Sequence, residues 1–192
     1  MIAIIKYNAG NTCSVQNALN RLGYENRITD VEEELLKADK VIFPGVGEAS
    51  TAMSYLKERG LDRVILGLKQ PVLGICLGLQ LMCEKSDEGN TNCLGIFNNK
   101  VCKFPNREIV PHMGWNNFTE VRGTLFNGIS QDKDVYFVHS YYADISEQTT
   151  AVCDYITPFS AALEKDNFYA TQFHPEKSAD IGEQILKNFL EL

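Results

Sequence analysis

The chain opens on Ile2-Ala3-Ile4-Ile5, four apolar positions with no polar alternation, which reads as a strand buried on both faces. Asn8-Ala9-Gly10-Asn11 is a turn, after which the spacing changes. Val15, Ala18, Leu19 and Leu22 share one face of a helix over Thr12–Leu22, and Gly23 ends it. The alternation then repeats. Lys40–Phe43 is a second central strand, followed by a tight loop at Pro44-Gly45-Val46-Gly47. Ala49–Arg59 and Asp62–Leu68 have helical spacing, Val72–Ile75 is another strand, and Leu79–Lys85 is the helix after it.

The second half changes character. Val101–Phe104, Asn116–Val121, Asp134–Val138, Ala151–Ile156, Ser160–Glu164 and Phe168–Phe173 read as strands between turns, and Ala179–Leu190 as a closing amphipathic helix. Strand–helix alternation followed by strands predicts an α/β fold. One domain over residues 1–192 is expected, with a central mixed, mostly parallel sheet flanked by helices and carrying antiparallel additions. No linker, internal repeat or low-complexity segment interrupts it.

Composition narrows the partners. A formal charge of -7 and a pI near 5.0, with no basic run, disfavour nucleic acid and anionic membranes. The apolar start is too short for a signal peptide and no later stretch is long enough to span a bilayer, so a cytoplasmic protein is expected. In that compartment the six cysteines should be free thiols. None is paired in Cys-x-x-Cys spacing, so no metal site is expected.

One cysteine has a distinctive setting. Gly74-Ile75-Cys76-Leu77-Gly78-Leu79-Gln80 follows a predicted strand and leads into a helix, the arrangement of a nucleophile elbow with cysteine in place of serine. Flanking glycines allow strand and helix to pack close to the strained turn. The helix N-terminus favours a thiolate, and the Leu77 N–H would face an attacked carbonyl. The alternative is a glycine-rich turn holding an inert buried thiol.

Amide cleavage by a thiolate also needs a proton carrier. Of the three histidines, His174 ends a predicted strand and precedes Pro175-Glu176, so Glu176 can hold the imidazole and complete a Cys–His–Glu set. His139 also ends a strand but has no carboxylate before Asp144, and His112 has no such partner. For these two, a structural hydrogen bond is the plainer role.

Cys76 with His174-Pro175-Glu176 resembles the class I (triad-type) glutamine amidotransferases, over essentially the whole chain. Within that family the chain is similar to the glutaminase subunits of imidazole glycerol phosphate synthases. That similarity is carried by Pro44-Gly45-Val46-Gly47, Pro111-His112-Met113-Gly114-Trp115-Asn116, Tyr136-Phe137-Val138-His139-Ser140-Tyr141 and Gln172-Phe173-His174-Pro175-Glu176-Lys177-Ser178. Asn8 departs from the glycine usual in the family's first turn.

The resemblance implies a flavodoxin-like fold and glutamine as substrate, with no cofactor. Catalysis would fall to Cys76, His174 and Glu176. Val46 or Gly47, with Leu77, would form the oxyanion site, after rearrangement of the loop, and Gln80, Ser140 and Tyr141 would line the substrate site. Tyr136 and Lys177 would face a (β/α)8-barrel cyclase subunit in a heterodimer. That separate chain would take up the ammonia and make imidazole glycerol phosphate and an aminoimidazole carboxamide ribotide. A glutaminase serving another synthase, or a silent regulatory subunit on the same fold, are the alternatives; the Pro111–Asn116 segment speaks against the first and the intact Cys76, His174 and Glu176 against the second.

Overall fold

A computed structural model describes all residues from Met1 to Leu192. The first half alternates as its apolar pattern predicts. Strand β1 (Ile2–Ile5) leads to helix α1 (Thr12–Arg21), then β2 (Asn26–Thr29), α2 (Glu32–Lys37), β3 (Lys40–Gly45), α3 (Ala49–Glu58), α4 (Leu61–Gly67), β4 (Val72–Cys76) and α5 (Leu77–Met82). The second half adds β5 (Lys85–Ser86), β6 (Thr91–Asn92), β7 (Lys100–Lys103), β8 (His112–Asn116), β9 (Glu120–Val121), β10 (Val135–His139) and β11 (Tyr141–Ala143). It closes with β12 (Thr149–Asp154), β13 (Pro158–Lys165), β14 (Phe168–Thr171) and α6 (Ala179–Leu190).

The heart of the sheet is parallel, in the order β2-β1-β3-β4-β14. Antiparallel pairing begins where β14 meets β13 and continues through β11 and β7. Period-2 alternation divides the central strands between two cores. Ile2, Ile4, Ile42, Leu73 and Ile75 face α1 and α6, while Ala3, Ile5, Val41, Phe43 and Val72 face α3, α4 and α5. Both faces being covered, these strands are apolar throughout, as parallel strands under helices must be.

Several expectations are corrected. The helix after Val72–Ile75 does not run over Leu79–Lys85. It starts at Leu77, directly after Cys76, and stops at Met82, because Lys85 and Ser86 leave to pair with β6 and β7. Asn116–Val121 is not one strand: Asn116 ends β8, and Glu120–Val121 pairs separately with β12. The sheet is not single either, since β8 and β10 form their own two-stranded antiparallel ribbon. Six elements, β2, α2, β5, β6, β8 and β11, lie outside the predicted set.

The chain's chemistry gathers at one edge. Pro44 and Gly45, expected in a tight loop, instead extend β3 by pairing with Ile75 and Cys76, so that the turn after β1, the Val46–Gly47 loop after β3, Cys76 at the end of β4 and His174 just beyond β14 all lie at the carboxyl ends of parallel strands. Open α/β sheets place ligands there, in the crevice beyond the strand ends.

Candidate active site

Cys76 sits at the joint of β4 and α5 with φ 54° and ψ -105°, a backbone conformation non-glycine residues rarely adopt. Such strain costs on the order of 1–3 kcal/mol and persists only where neighbours enforce it. Here they do. A Cβ on Gly78 would lie 1.9 Å from the Phe43 carbonyl oxygen, so only glycine lets α5 pack this tightly on β3. A Cβ on Gly45 would lie 2.1 Å from the Tyr7 hydroxyl, which donates to the Pro44 carbonyl at 2.7 Å. Burial, with the Cys76 sulfur adding to it, pushes the Tyr7 pKa well above the ordinary value, so this hydroxyl stays a neutral donor.

His174 is fully buried behind the cysteine. Its backbone N–H donates to Tyr136 O at 2.9 Å, and its carbonyl accepts from Ser178 Oγ at 2.7 Å. Ser178 Oγ in turn accepts the Tyr136 N–H, so β10 and the 174–178 turn hold each other. On the ring, Nδ1 lies 2.8 Å from Glu176 Oε1. A carboxylate can only accept, so Nδ1 carries the proton and Nε2 is left to face the Cys76 sulfur. Nε2 makes no well-formed hydrogen bond. Burial alone would lower the imidazole pKa, but the Cys76 sulfur and the Glu176 carboxylate outweigh it and raise it to about 10. The imidazolium is the favoured form whenever the sulfur is a thiolate.

Burial pushes Cys83 well above the usual thiol range, Cys93 up to about 11 and Cys153 up to about 12, so these remain neutral thiols.

In front of Cys76 lies a cleft of about 290 Å³. It is bounded by Val46, Gly47, Leu77, Gln80, Ser140 and Tyr141, together with His139 and Glu88. Gln80 donates both amide hydrogens into the protein, to Tyr141 O and to Gln172 Oε1, each at 3.0 Å. What it can offer a ligand is its amide oxygen. The Tyr141 carbonyl fixes this orientation, since a carbonyl cannot donate. It follows that Gln172 turns its NH₂ toward Cys76, 3.7 Å from the sulfur.

All nine expected catalytic and substrate-site residues therefore converge, with His174 and Glu176 behind the sulfur and Cys76 and the other six on the cleft. Tyr136 and Lys177 lie on an adjoining face. Tyr136 is half-buried and packs its ring 5.9 Å from that of Trp115, and Lys177 is exposed. Asn8, the departure from the family turn, is exposed and has no positive φ, so nothing there requires glycine.

Four residues near the site were not among those expected. Gln172 had a readable signal: it lies two residues before His174 in the segment predicted as a strand, where alternation would put both on one face, although β14 itself ends at Thr171. Asn11, Tyr7 and Glu88 had none, because turn and loop geometry alone brings them in.

The chain belongs to the glutamine amidotransferase class-I family, whose model matches residues 3–192. It is 63% identical over 194 residues to the imidazole glycerol phosphate synthase subunit HisH of Bacteroides fragilis (strain YCH46), covering 100% of this chain and 99% of that protein. Identity to the protein of the same name from Pasteurella multocida is 48% over 192 residues, covering 99% and 97%. Among solved structures, one described as a glutamine amidotransferase superposes with a TM-score of 0.77 at 19% identity, covering 99% of this chain and 97% of that one; this likeness speaks to the fold. No helix is long and apolar enough to cross a membrane.

Proposed function

We propose that the chain is the glutaminase subunit of an imidazole glycerol phosphate synthase, acting over residues 1–192 as one amidotransferase domain in the cytoplasm. The observation that carries this is the alignment of Cys76, His174 and Glu176 behind a cleft sized for a single amino acid. About 290 Å³ lies at the small end of ligand pockets, which run from about 300 to 1,000 Å³.

Glutamine enters with its side-chain amide toward the sulfur. Glu88, the one carboxylate on the cleft wall, takes the α-ammonium group; its Oε2 is already held by the Ala49 N–H at 2.7 Å. The Cys76 thiolate attacks the amide carbon. The Leu77 N–H, which as a first-turn donor has no partner within α5, and an N–H of the Val46–Gly47 loop bind the oxyanion. His174 Nε2 gives its proton to the leaving nitrogen, and ammonia departs as the thioester forms. Nε2 then takes a proton from water, which attacks the thioester, and glutamate leaves. Glu176 keeps the imidazole in the tautomer both steps require.

The ammonia is used by a (β/α)8-barrel cyclase subunit. Its docking face on this chain is the one that exposes Met113 and Trp115 on β8, next to Tyr136 and Lys177. The test is to assay the chain with its cyclase. Cys76→Ala should abolish glutamine-dependent synthesis and leave synthesis from ammonium salts intact. Glutamine-dependent synthesis that persists in this variant would overturn the assignment of the nucleophile.

A further inference from the structure

Glu176 is a buried carboxylate with few partners. Its Oε2 has none, and Oε1 is bound by two donors, His174 Nδ1 at 2.8 Å and Asn11 Nδ2 at 2.5 Å. Asn11 is thus the only hydrogen-bond partner of the acid besides the imidazole. It lies 3.5 Å from His174 Nδ1 as well, but both nitrogens carry hydrogen, so that approach is contact and not a second bond.

The backbone of Asn11 is shaped for this contact. Asn11 precedes α1 at the N-cap position, where an asparagine side chain normally accepts an N–H from the first turn. Here it makes no such bond, and it holds φ 77° and ψ 7° in the left-handed region. The side chain leaves its own helix unsatisfied and reaches to a residue 165 positions away. The Asn8–Asn11 turn is itself tied down: the Gly10 N–H donates to Val46 O at 3.3 Å, and the Asn8 amide donates to Thr51 O at 3.2 Å.

We propose that Asn11 is a positioning residue of the catalytic set, fixing the Glu176 carboxylate so that the same oxygen orients His174. This rests on the Cys76–His174–Glu176 reading above. Asn11 does not line the cleft, so its removal should act on turnover and not on glutamine binding.

Two variants test it in the complex with the cyclase. Asn11→Gly deletes the amide while keeping a residue at ease with positive φ. It should lower kcat for glutamate release roughly 10–100-fold, the loss usual when the partner that orients an active ligand is removed, with KM for glutamine unchanged. Asn11→Asp keeps shape but brings a second carboxylate against the first, and two such groups share one proton. His174 favours charge on Glu176, so the proton resides on the new aspartic acid, whose O–H can replace the lost N–H. The ratio of variant to wild-type kcat should therefore rise as pH falls from about 8 to about 6, where that proton is retained. A merely structural asparagine would give no such pH signature. Wild-type kcat in Asn11→Gly, a fall expressed in KM, or a flat ratio in Asn11→Asp overturns the inference. Cys76→Ala in the same assay separates the two levels. If it is inactive while Asn11→Gly is unimpaired, the triad stands and only the role of Asn11 falls. If Cys76→Ala still releases glutamate, both fall.

Discussion

Two groups of buried histidines share one end of this molecule and prefer different charge states, one cationic and one neutral. His174 is 0% exposed, His112 4% and His139 5%, so burial does not separate them. The difference lies in what each ring touches. His174 has the Cys76 sulfur on one side and the Glu176 carboxylate on the other, and its pKa is raised to about 10 against the pull of burial. His112 and His139 hydrogen-bond only to neutral groups, and burial pulls them down to about 4 and about 3, with the His112 and His174 rings adding to it at His139.

The neutral pair is a chain of fixed tautomers. His139 Nδ1 must donate to Tyr141 O at 2.8 Å, so its Nε2 accepts from His112 Nδ1 at 3.0 Å. His112 Nε2 then accepts from the Asn116 amide at 3.3 Å. Every ring nitrogen has a partner, and none is free to move a proton in the working pH range. The pair stiffens the Ser140–Tyr141 wall of the cleft, whereas His174 leaves Nε2 unsatisfied and available. A histidine bonded on every side is architecture, and one with an unused nitrogen beside a nucleophile is poised for chemistry.

The sharpest way to break this contrast is to remove each ring. His174→Ala should lower glutamate release in the complex by roughly 10⁴-fold or more, as for loss of a triad member. His139→Gln should cost at least roughly ten times less, acting through the cleft wall alone. Equal losses in two variants with wild-type circular dichroism would erase the distinction.

A second effect, smaller, appears in stability against pH. His112 and His139 have folded pKa values below the unfolded value of about 6.5. Between about 6.5 and the folded values the unfolded chain binds more protons, so their contribution is complete above about 6.5 and is lost as pH falls toward about 4 and then about 3. His174 has the opposite sign. Its contribution is complete below about 6.5 and is lost as pH rises through about 10. Denaturant midpoints measured from pH 7 down to about 4 should fall less steeply in His139→Gln than in wild type. His174→Gln should leave that acid slope unchanged and flatten the alkaline one. An acid slope identical in wild type and His139→Gln would show that the pair is not what titrates.

The same two regions show what could be read from the chain alone. His174 was legible because Glu176 lies two residues on, and Cys76 because glycines and a strand–helix switch frame it. The apolar runs of β1, β3 and β4 were legible because helices cover both their faces. The ribbon strand β8 was not, since its pattern is inverted: His112 is buried while Met113 and Trp115 are 63% and 55% exposed. No rule of apolar-in, polar-out finds such a strand. The edge strand β2 was missed for a related reason. Three of its four residues, Asn26, Arg27 and Thr29, are polar; Ile28 alone packs on the core, and parallel pairing with β1 holds the rest in place. Asn11 and Glu88 reach the site through turn geometry, which spacing along the chain does not encode.

The smallest predicted effect lies where the two histidine regions meet. Tyr136 stands between them. Its carbonyl accepts the His174 N–H, and in the ribbon register it opposes Trp115, three residues along from His112. Lys177 follows Glu176 directly, and its N–H closes the turn onto the His174 carbonyl at 3.0 Å. Its side chain is exposed and makes no ion pair within this chain. An exposed lysine pair is worth at most ~1 kcal/mol. If a cyclase covers this face and offers a carboxylate, the pair is shielded and its loss costs more, with the effect mainly on dissociation. Lys177→Ala should then leave fold and stability unchanged, weaken the complex, and raise the ratio of glutamate to synthase product as ammonia escapes. Titration of the variant with cyclase, followed by both products, measures this. Trp115→Ala provides the matched perturbation on the His112 side: loss of affinity in both variants places the partner across the two regions, and loss in Trp115→Ala alone confines it to the ribbon. Wild-type affinity and coupling in Lys177→Ala would remove that lysine from the interface and leave the chemistry of Cys76 and His174 untouched.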